Sequence, residues 1–171
     1  MLNNKVEKIA SDLLERFRIH ELPIPLNKII KSFNVTIKPY ELGENISGLL
    51  VIDSGVGTIG INPNDSKVRQ RFTLAHELGH YILHKHETEL FIDKEFTVLF
   101  RNQKSSTGEI KREQEANAFA ASILMPKKFL VEEISRFNFD LNDENSIKKL
   151  SKTFEVSSAA MAFRISNLSL F

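Results

Sequence analysis

Cysteine is absent from this chain of 171 residues. That removes disulfides, thiolate metal ligands and a cysteine nucleophile together, and it fits a reducing compartment. A charge imbalance is missing as well. The net charge of +1 leaves no global basic footprint for nucleic acid. No apolar run approaches the roughly 20 residues needed to span a bilayer. The N-terminal MLNNKVEKIASDLLERF carries acidic residues inside its apolar stretch, where a secretory leader needs an unbroken apolar core. These absences lead us to expect a soluble, cytoplasmic protein with no membrane partner. The length suits one domain, 1–171, large enough to bury a real core.

What is present is concentrated in one stretch, Arg71 to His86, RFTLAHELGHYILHKH. Four of the five histidines lie there, at 76, 80, 84 and 86. His76-Glu77-Leu78-Gly79-His80 is an H-E-x-x-H pattern, and on a helix residues i and i+4 share a face one turn apart. His76 and His80 can therefore reach one metal ion, while Glu77, beside the first of them, is placed to take a proton from water. Zinc is the expected occupant, because it takes nitrogen and carboxylate ligands and keeps a position open in catalytic sites. Bound zinc lowers the pKa of water from about 16 towards roughly 7. The pattern reads as that of a zinc metalloprotease. The neighbours Phe72, Leu74, Ala75, Leu78, Ile82 and Leu83 make the segment a largely buried helix, where unpartnered histidine and glutamate would be costly.

The rest of the chain falls into short elements. Val6, Ile9, Leu13, Leu14 and Phe17 recur at helical spacing and predict a helix from about Asn4 to Arg18. His20 stands alone after it and is read as a surface or core-edge residue. Pro23 and Pro25 interrupt, and Leu26 to Phe33 reads as a second, short helix. Then the period changes: Val35-Thr36-Ile37 is β-branched, and Ser47–Asp53 and Val56–Asn62 read as strands joined by a tight Ser54-Gly55 turn. Residues 62–66, NPNDS, supply turn and N-cap chemistry ahead of the motif helix. A small sheet thus lies beside that helix, and its edge could hold an extended peptide by strand addition. From Glu87 to Glu109 the pattern is less regular, with Phe96–Phe100 as a candidate strand and Asn102–Gly108 as a connecting loop.

Two histidines need a third protein ligand. His84 lies about 12 Å along the helix from His76 by the standard rise, too far to share an ion. His86 would serve in the longer H-E-x-x-H-x-x-G-x-x-H pattern, but the glycine position holds Leu83, which is unsuited to a left-handed turn. That arrangement is rejected. A carboxylate on a later helix remains. IKREQEANAFAASILM, Ile110 to Met125, is strongly helical, with Ala116, Phe119, Ala120 and Ile123 as its packing face. Glu115 adjoins that face; Glu113 is the alternative, farther from it.

These residues resemble a known family. FTLAHELGHYILH, followed by EANAFAASILMP at 115–126, is similar to the ImmA/IrrE family of zinc metallopeptidases, over roughly Leu22 to Met125 and more weakly beyond. The resemblance implies that His76 and His80 are ligands, Glu77 the general base, and the glutamate before Ala116-Asn117, Glu115, the third ligand. It also implies a site-specific endopeptidase that cuts a helix-turn-helix repressor of a mobile element or a stress response. Many members carry an N-terminal DNA-binding domain, for which the residues before Leu22 leave no room.

Lys127 to Phe137 predicts a further helix, with Leu141-Asn142-Asp143 capping the next. Two short helices around Phe154-Glu155-Val156-Ser157 form a helix-turn-helix-like subdomain at about 141–171. Its charge is nearly balanced: Lys148, Lys149, Lys152 and Arg164 stand against Asp143, Glu144 and Glu155. A recognition helix from Ser157 would carry Arg164 alone, which is little to hold a polyanion. Direct DNA binding is not expected, and packing or docking of a protein is preferred. The fold expected is α+β: a small, mostly antiparallel sheet beside an HExxH zinc helix, with several further helices, zincin-like with a gluzincin-type ligand set. The rival readings are a non-cleaving, zinc-stabilised module that sequesters a regulator, and a DNA-binding regulator acting through the C-terminal helices.

Overall fold

The computed structural model describes residues 2–41, 46–94, 107–137, 139–140 and 143–168. Its elements are α1 (Leu2–Arg16), α2 (Leu26–Ser32), β1 (Thr36–Pro39), β2 (Ile46–Asp53), β3 (Val56–Ile61), α3 (Lys67–His84), β4 (Leu90–Lys94), α4 (Thr107–Leu124), α5 (Lys127–Ser135), α6 (Glu144–Phe154) and α7 (Ser158–Leu168). The class is α+β, with seven helices and one mixed four-stranded sheet among the described residues. The strand order is β1-β3-β2-β4. β2 pairs antiparallel with β3 and β4, while β1 runs parallel to β3.

The sheet is built around the predicted hairpin. Asp53 pairs with Val56, leaving Ser54 and Gly55 as a two-residue turn, with φ of 49° and 82°. Positive φ at both central positions is the geometry that matches strand twist, and glycine adopts it without strain. Leu50, Ile52, Ile59 and Phe91 bury one face of the sheet, while Val51, Leu90 and Ile92 stay exposed on the other. β4 forms in a stretch where the sequence shows no regular alternation. The candidate strand Phe96–Phe100 and most of the loop predicted at Asn102–Gly108 lie outside the described residues. The last two residues of that loop, Thr107 and Gly108, instead open α4.

α3 is the central helix. Ser66 caps it, its Oγ accepting from the Arg69 amide at 3.2 Å, and every residue from Thr73 to Tyr81 is buried. The sheet covers one side and α4 the other. α4 packs through Ala116, Phe119, Ala120, Ile123 and Leu124, the face its sequence predicts plus one residue. α1 lies along α4 and buries Val6, Ala10, Leu13 and Leu14. Leu83 continues α3 as far as His84 instead of turning the chain, and His86 is exposed in the following turn. His20 is exposed as well.

The C-terminal helices pack onto this body. Asp143 caps α6 by accepting from the amides of Asn145 and Ser146, and Glu155 ends it at φ 52°. Val156, Met161 and Ile165 turn inward. Arg164 turns inward too. Its Nε donates to the Met125 carbonyl at 3.0 Å and its Nη2 to Glu7 Oε1 at 2.6 Å. The other oxygen of Glu7 accepts from Ser122 at 2.8 Å. Three helices, α1, α4 and α7, are joined through one carboxylate.

Burial works against ionisation of Glu7. The hydrogen bond and charge of Arg164, with Ser122, outweigh it and hold the carboxyl below its ordinary value of 4.5. A carboxyl lowered by folding stabilises the fold above its unfolded value, and that contribution is lost as pH falls through the folded value. Glu7→Gln should therefore cost about 1–2 kcal/mol at neutral pH, given the partial exposure of the pair. The gap from wild type should narrow below about pH 4.5 in urea unfolding measured across that range. A gap that stays constant to pH 3.5 would remove the linkage.

Candidate metal centre

α3 presents His76, His80 and His84 on one face, at spacings of four residues. The Nε2 atoms of His76 and His80 are 3.0 Å apart. Two aromatic rings hold the imidazoles in place: Phe72 stacks on His76 at 6.5 Å between centroids, and Phe91 of β4 on His80 at 4.5 Å. Both histidines are almost fully buried, at 2% and 1% exposure.

The third group comes from α4, and it is Glu113. Its Oε2 lies 3.2 Å from His76 Nε2 and its Oε1 3.2 Å from His80 Nε2. Glu115, to which the resemblance pointed, goes elsewhere: its Oε2 meets His84 Nε2 at 2.9 Å. The reason is helical phase. α4 runs back along α3, with Arg112 at Glu87, Ala116 at Gly79 and Asn117 at His76. Residues three and four before Ala116 and Asn117 share their face, and both spacings lead to Glu113. Glu115 is two residues on, about 200° round the helix. Adjacency to the small-residue stretch points to Glu115, whereas the i−3/i−4 spacing points to Glu113, the carboxylate that lies with the two histidines.

Two contacts make that approach close. A Cβ on Gly79 would sit 3.2 Å from the Cα and carbonyl oxygen of Ala116. A Cβ on Gly48 of β2 would sit 2.3 Å from Thr73 Cγ2 and 3.0 Å from Glu77 Oε1. Glu77 is wholly buried, and its carboxylate lies where β2 has no side chain. Asn117 is a further site residue that sequence reasoning passed over. Its Oδ1 is 3.1 Å from His76 Nδ1, and its place four residues after Glu113 was the signal. Tyr81, next to His80, turns its hydroxyl away from the site and donates to the Gly55 carbonyl at 3.2 Å.

The protonation states follow from the surroundings. Burial is the main effect on His80 and, with the neighbouring histidines, lowers it to about 4 despite Glu113. Burial opposes ionisation of Glu113, but hydrogen bonds from both histidines outweigh it and hold the carboxyl well below the usual range. Neutral imidazole and carboxylate are the forms in which these groups bind metals. His76, His80 and Glu113 each bring one ligating atom into a cluster within 4.8 Å. For tetrahedral ligands at about 2.0–2.1 Å from zinc, neighbouring donors are about 3.3 Å apart. The separations of 3.0 and 3.2 Å and the nitrogen–carboxylate donor set both fit.

A mixed sheet packed on a helix that bears two histidines and a carboxylate, with a facing helix supplying a second carboxylate, is the arrangement of a metallopeptidase-type domain. Residues 30–166 match the Peptidase M78 family, described as the IrrE N-terminal-like domain, and the chain belongs to the ImmA/IrrE family. It is 33% identical to "Metallopeptidase ImmA" of Bacillus subtilis (strain 168) over 92 residues, 54% of this chain and 48% of that protein. It is 32% identical to "Uncharacterized immunity region protein 2" of Bacillus phage phi105 over 110 residues, 64% of this chain and 63% of that one. A solved structure, "Mycobacterium tuberculosis transcriptional regulator", shares the fold with a TM-score of 0.65 at 15% identity, over 96% of this chain and 48% of that one. The chain thus spans between about half and two thirds of the curated relatives it matches.

Gly48→Ala tests the close approach of β2 to the motif helix. The added methyl should cost about 1–3 kcal/mol by overpacking, and Thr73→Ser, which removes the clashing Cγ2, should recover much of that loss. Urea denaturation of both single variants and the double variant measures the coupling. Simple additivity would show that the two residues do not oppose one another.

Proposed function

We propose that this protein is a zinc-dependent, site-specific endopeptidase whose substrate is a helix-turn-helix transcriptional repressor. The observation that carries the proposal is the meeting of His76 Nε2, His80 Nε2 and the Glu113 carboxylate at one point, one residue from a buried glutamate. His76, His80 and Glu113 would hold the metal. Bound zinc supplies a Lewis acid that polarises the scissile carbonyl and makes water acidic enough to act near neutral pH. Glu77 takes the proton of the attacking water and passes it to the leaving amine. Its burial between β2 and α3 keeps the carboxylate fixed and shielded from bulk solvent.

β4 supports a peptide substrate. Among the described residues it ends the sheet, its Phe91 ring lies on His80, and an edge strand can align an extended backbone by main-chain hydrogen bonds. The repressor class draws on relatives named as a metallopeptidase and an immunity region protein, and on a structural neighbour named as a transcriptional regulator. The inward turn of Arg164 argues against DNA readout by α7, since the one basic side chain of that helix is bound to Met125 and Glu7. No described helix is long and apolar enough to cross a membrane.

Glu77→Gln should retain zinc and lose cleavage. Comparing protein N-termini in host cells that express wild type or Glu77→Gln, with and without DNA damage, should reveal one or a few Glu77-dependent cuts within a helix-turn-helix regulator. A partner that copurifies intact with wild type, with no new termini, would favour sequestration instead. In the ligand set, Glu113→Ala should weaken zinc binding by more than the roughly 10–100-fold typical of outer-shell changes, and by more than Glu115→Ala. Equal zinc contents after dialysis would sink the choice of Glu113.

A further inference from the structure

His84 is buried at 3% exposure, one turn beyond His80 on the same face of α3. The proposed reaction gives it no task, yet both of its ring nitrogens are engaged. Nδ1 faces His80 Nδ1 at 3.3 Å, and Nε2 faces Glu115 Oε2 at 2.9 Å. Among the described residues, the other charged group on that carboxylate is Lys111, whose Nζ stands 3.9 Å from Oε1 and is well exposed.

The hydrogen bonds can be followed in one direction. An ionised carboxylate only accepts, so His84 Nε2 must carry the proton it shares with Glu115. A neutral imidazole then has a lone pair at Nδ1. Two facing nitrogens need one proton between them, so the proton lies on His80 Nδ1. His80 Nε2 then carries no proton and can ligate a metal. Without a metal, the Glu113 carboxylate at 3.2 Å is itself an acceptor that a proton on Nε2 would satisfy, so this direction of the chain belongs to the metal-bound form. The opposite direction would put a proton on His80 Nε2 and block it as a ligand. On the other histidine Asn117 has the same place, with its Oδ1 at His76 Nδ1.

We propose that Glu115 and His84 form a positioning pair that sets the tautomer and ring plane of His80, so that its Nε2 lone pair is presented to the metal. This rests on the metal-site reading given above. Glu115 thus acts on the metal through two residues, not as a ligand. Outer partners of this kind usually contribute roughly 10–100-fold in metal affinity.

The test has two readouts. Long-range proton–nitrogen correlation spectra of the full, zinc-loaded chain with isotope-labelled histidine should show His80 as the Nδ1–H form and His84 as the Nε2–H tautomer. The reverse assignment for either ring overturns the proposal. Zinc affinity, from competition with a chelator, should then fall roughly 10–100-fold in His84→Leu and Glu115→Ala. It should stay within a few-fold of wild type in His84→Asn and Glu115→Gln, which keep an acceptor in place. A purely structural role for His84 would lower stability without mixing the His80 tautomers. Zinc affinity within two-fold of wild type in both His84→Leu and Glu115→Ala also overturns the proposal. Should His84→Leu fail to fold, the wild-type spectra and the Glu115 pair still decide. A wild-type chain that binds no zinc would instead defeat the metal reading, whereas zinc bound with His84 as the Nδ1–H tautomer would defeat the positioning pair alone.

Discussion

The close crossing of α3 and α4 at Gly79 and Ala116 is the constraint on which the site depends. Neither residue has a side chain beyond a methyl, so the two backbones nearly touch. Helices usually pack with axes 8–10 Å apart, depending on the side chains between them. A methyl at Gly79 would already press on the Ala116 backbone at 3.2 Å, so a bulkier residue at either position would push Glu113 away from His76 and His80. Small residues here therefore serve coordination, although they touch no ligand atom. Gly79 is thereby explained as part of the motif: between Glu77 and His80 it supplies closeness where its neighbours supply chemistry.

The sheet imposes a matching condition from the other side. Gly48 leaves the space into which the Glu77 carboxylate and the Thr73 methyl fit. Phe91 from β4 lies flat on His80. The motif helix is thus held between two surfaces that were cut to it, one by omission of side chains and one by an aromatic plate. Burying three histidines costs free energy unless each has a partner. Asn117, His84, Glu113 and Glu115 supply those partners from the face of α4 and from α3 itself.

Much of this was legible in the sequence, because periodicity and motif chemistry are local. The HExxH spacing placed two histidines and a glutamate on one helix. Alternation with a Ser-Gly turn gave the β2–β3 hairpin, and the Ala116, Phe119, Ala120, Ile123 stripe gave the packed face of α4. Two features lie beyond what local pattern carries, for different reasons. β4 is a five-residue strand with no turn signal pairing it to a neighbour, and its place is set by β2, some forty residues earlier. The third carboxylate depended on the rotational phase of one helix against another. Glu113 and Glu115 differ there by half a turn, and adjacency to the alanines could not separate them. Counting back from Asn117 at helical spacing could have done so. The parallel pairing of β1 with β3 is likewise a tertiary outcome, since β1 skips the strand next to it in sequence.

The C-terminal hairpin shows how charge can mislead when position is unknown. Counted along the chain, Arg164 is the one basic residue of a helix that resembles a recognition helix. In the fold it is an internal clamp, joined to the end of α4 through Met125 and to α1 through Glu7. A guanidinium with several donors in a rigid fork suits that task, because it can satisfy a carbonyl and a carboxylate at once. The same side chain cannot do this and also neutralise a phosphate. α4 is thus fixed at both ends, by Glu113 and Asn117 against the motif helix and by Ser122 and Met125 against the Glu7–Arg164 pair. The C-terminal helices thereby bear on the metal centre without reaching it: what they stabilise is the helix that carries Glu113.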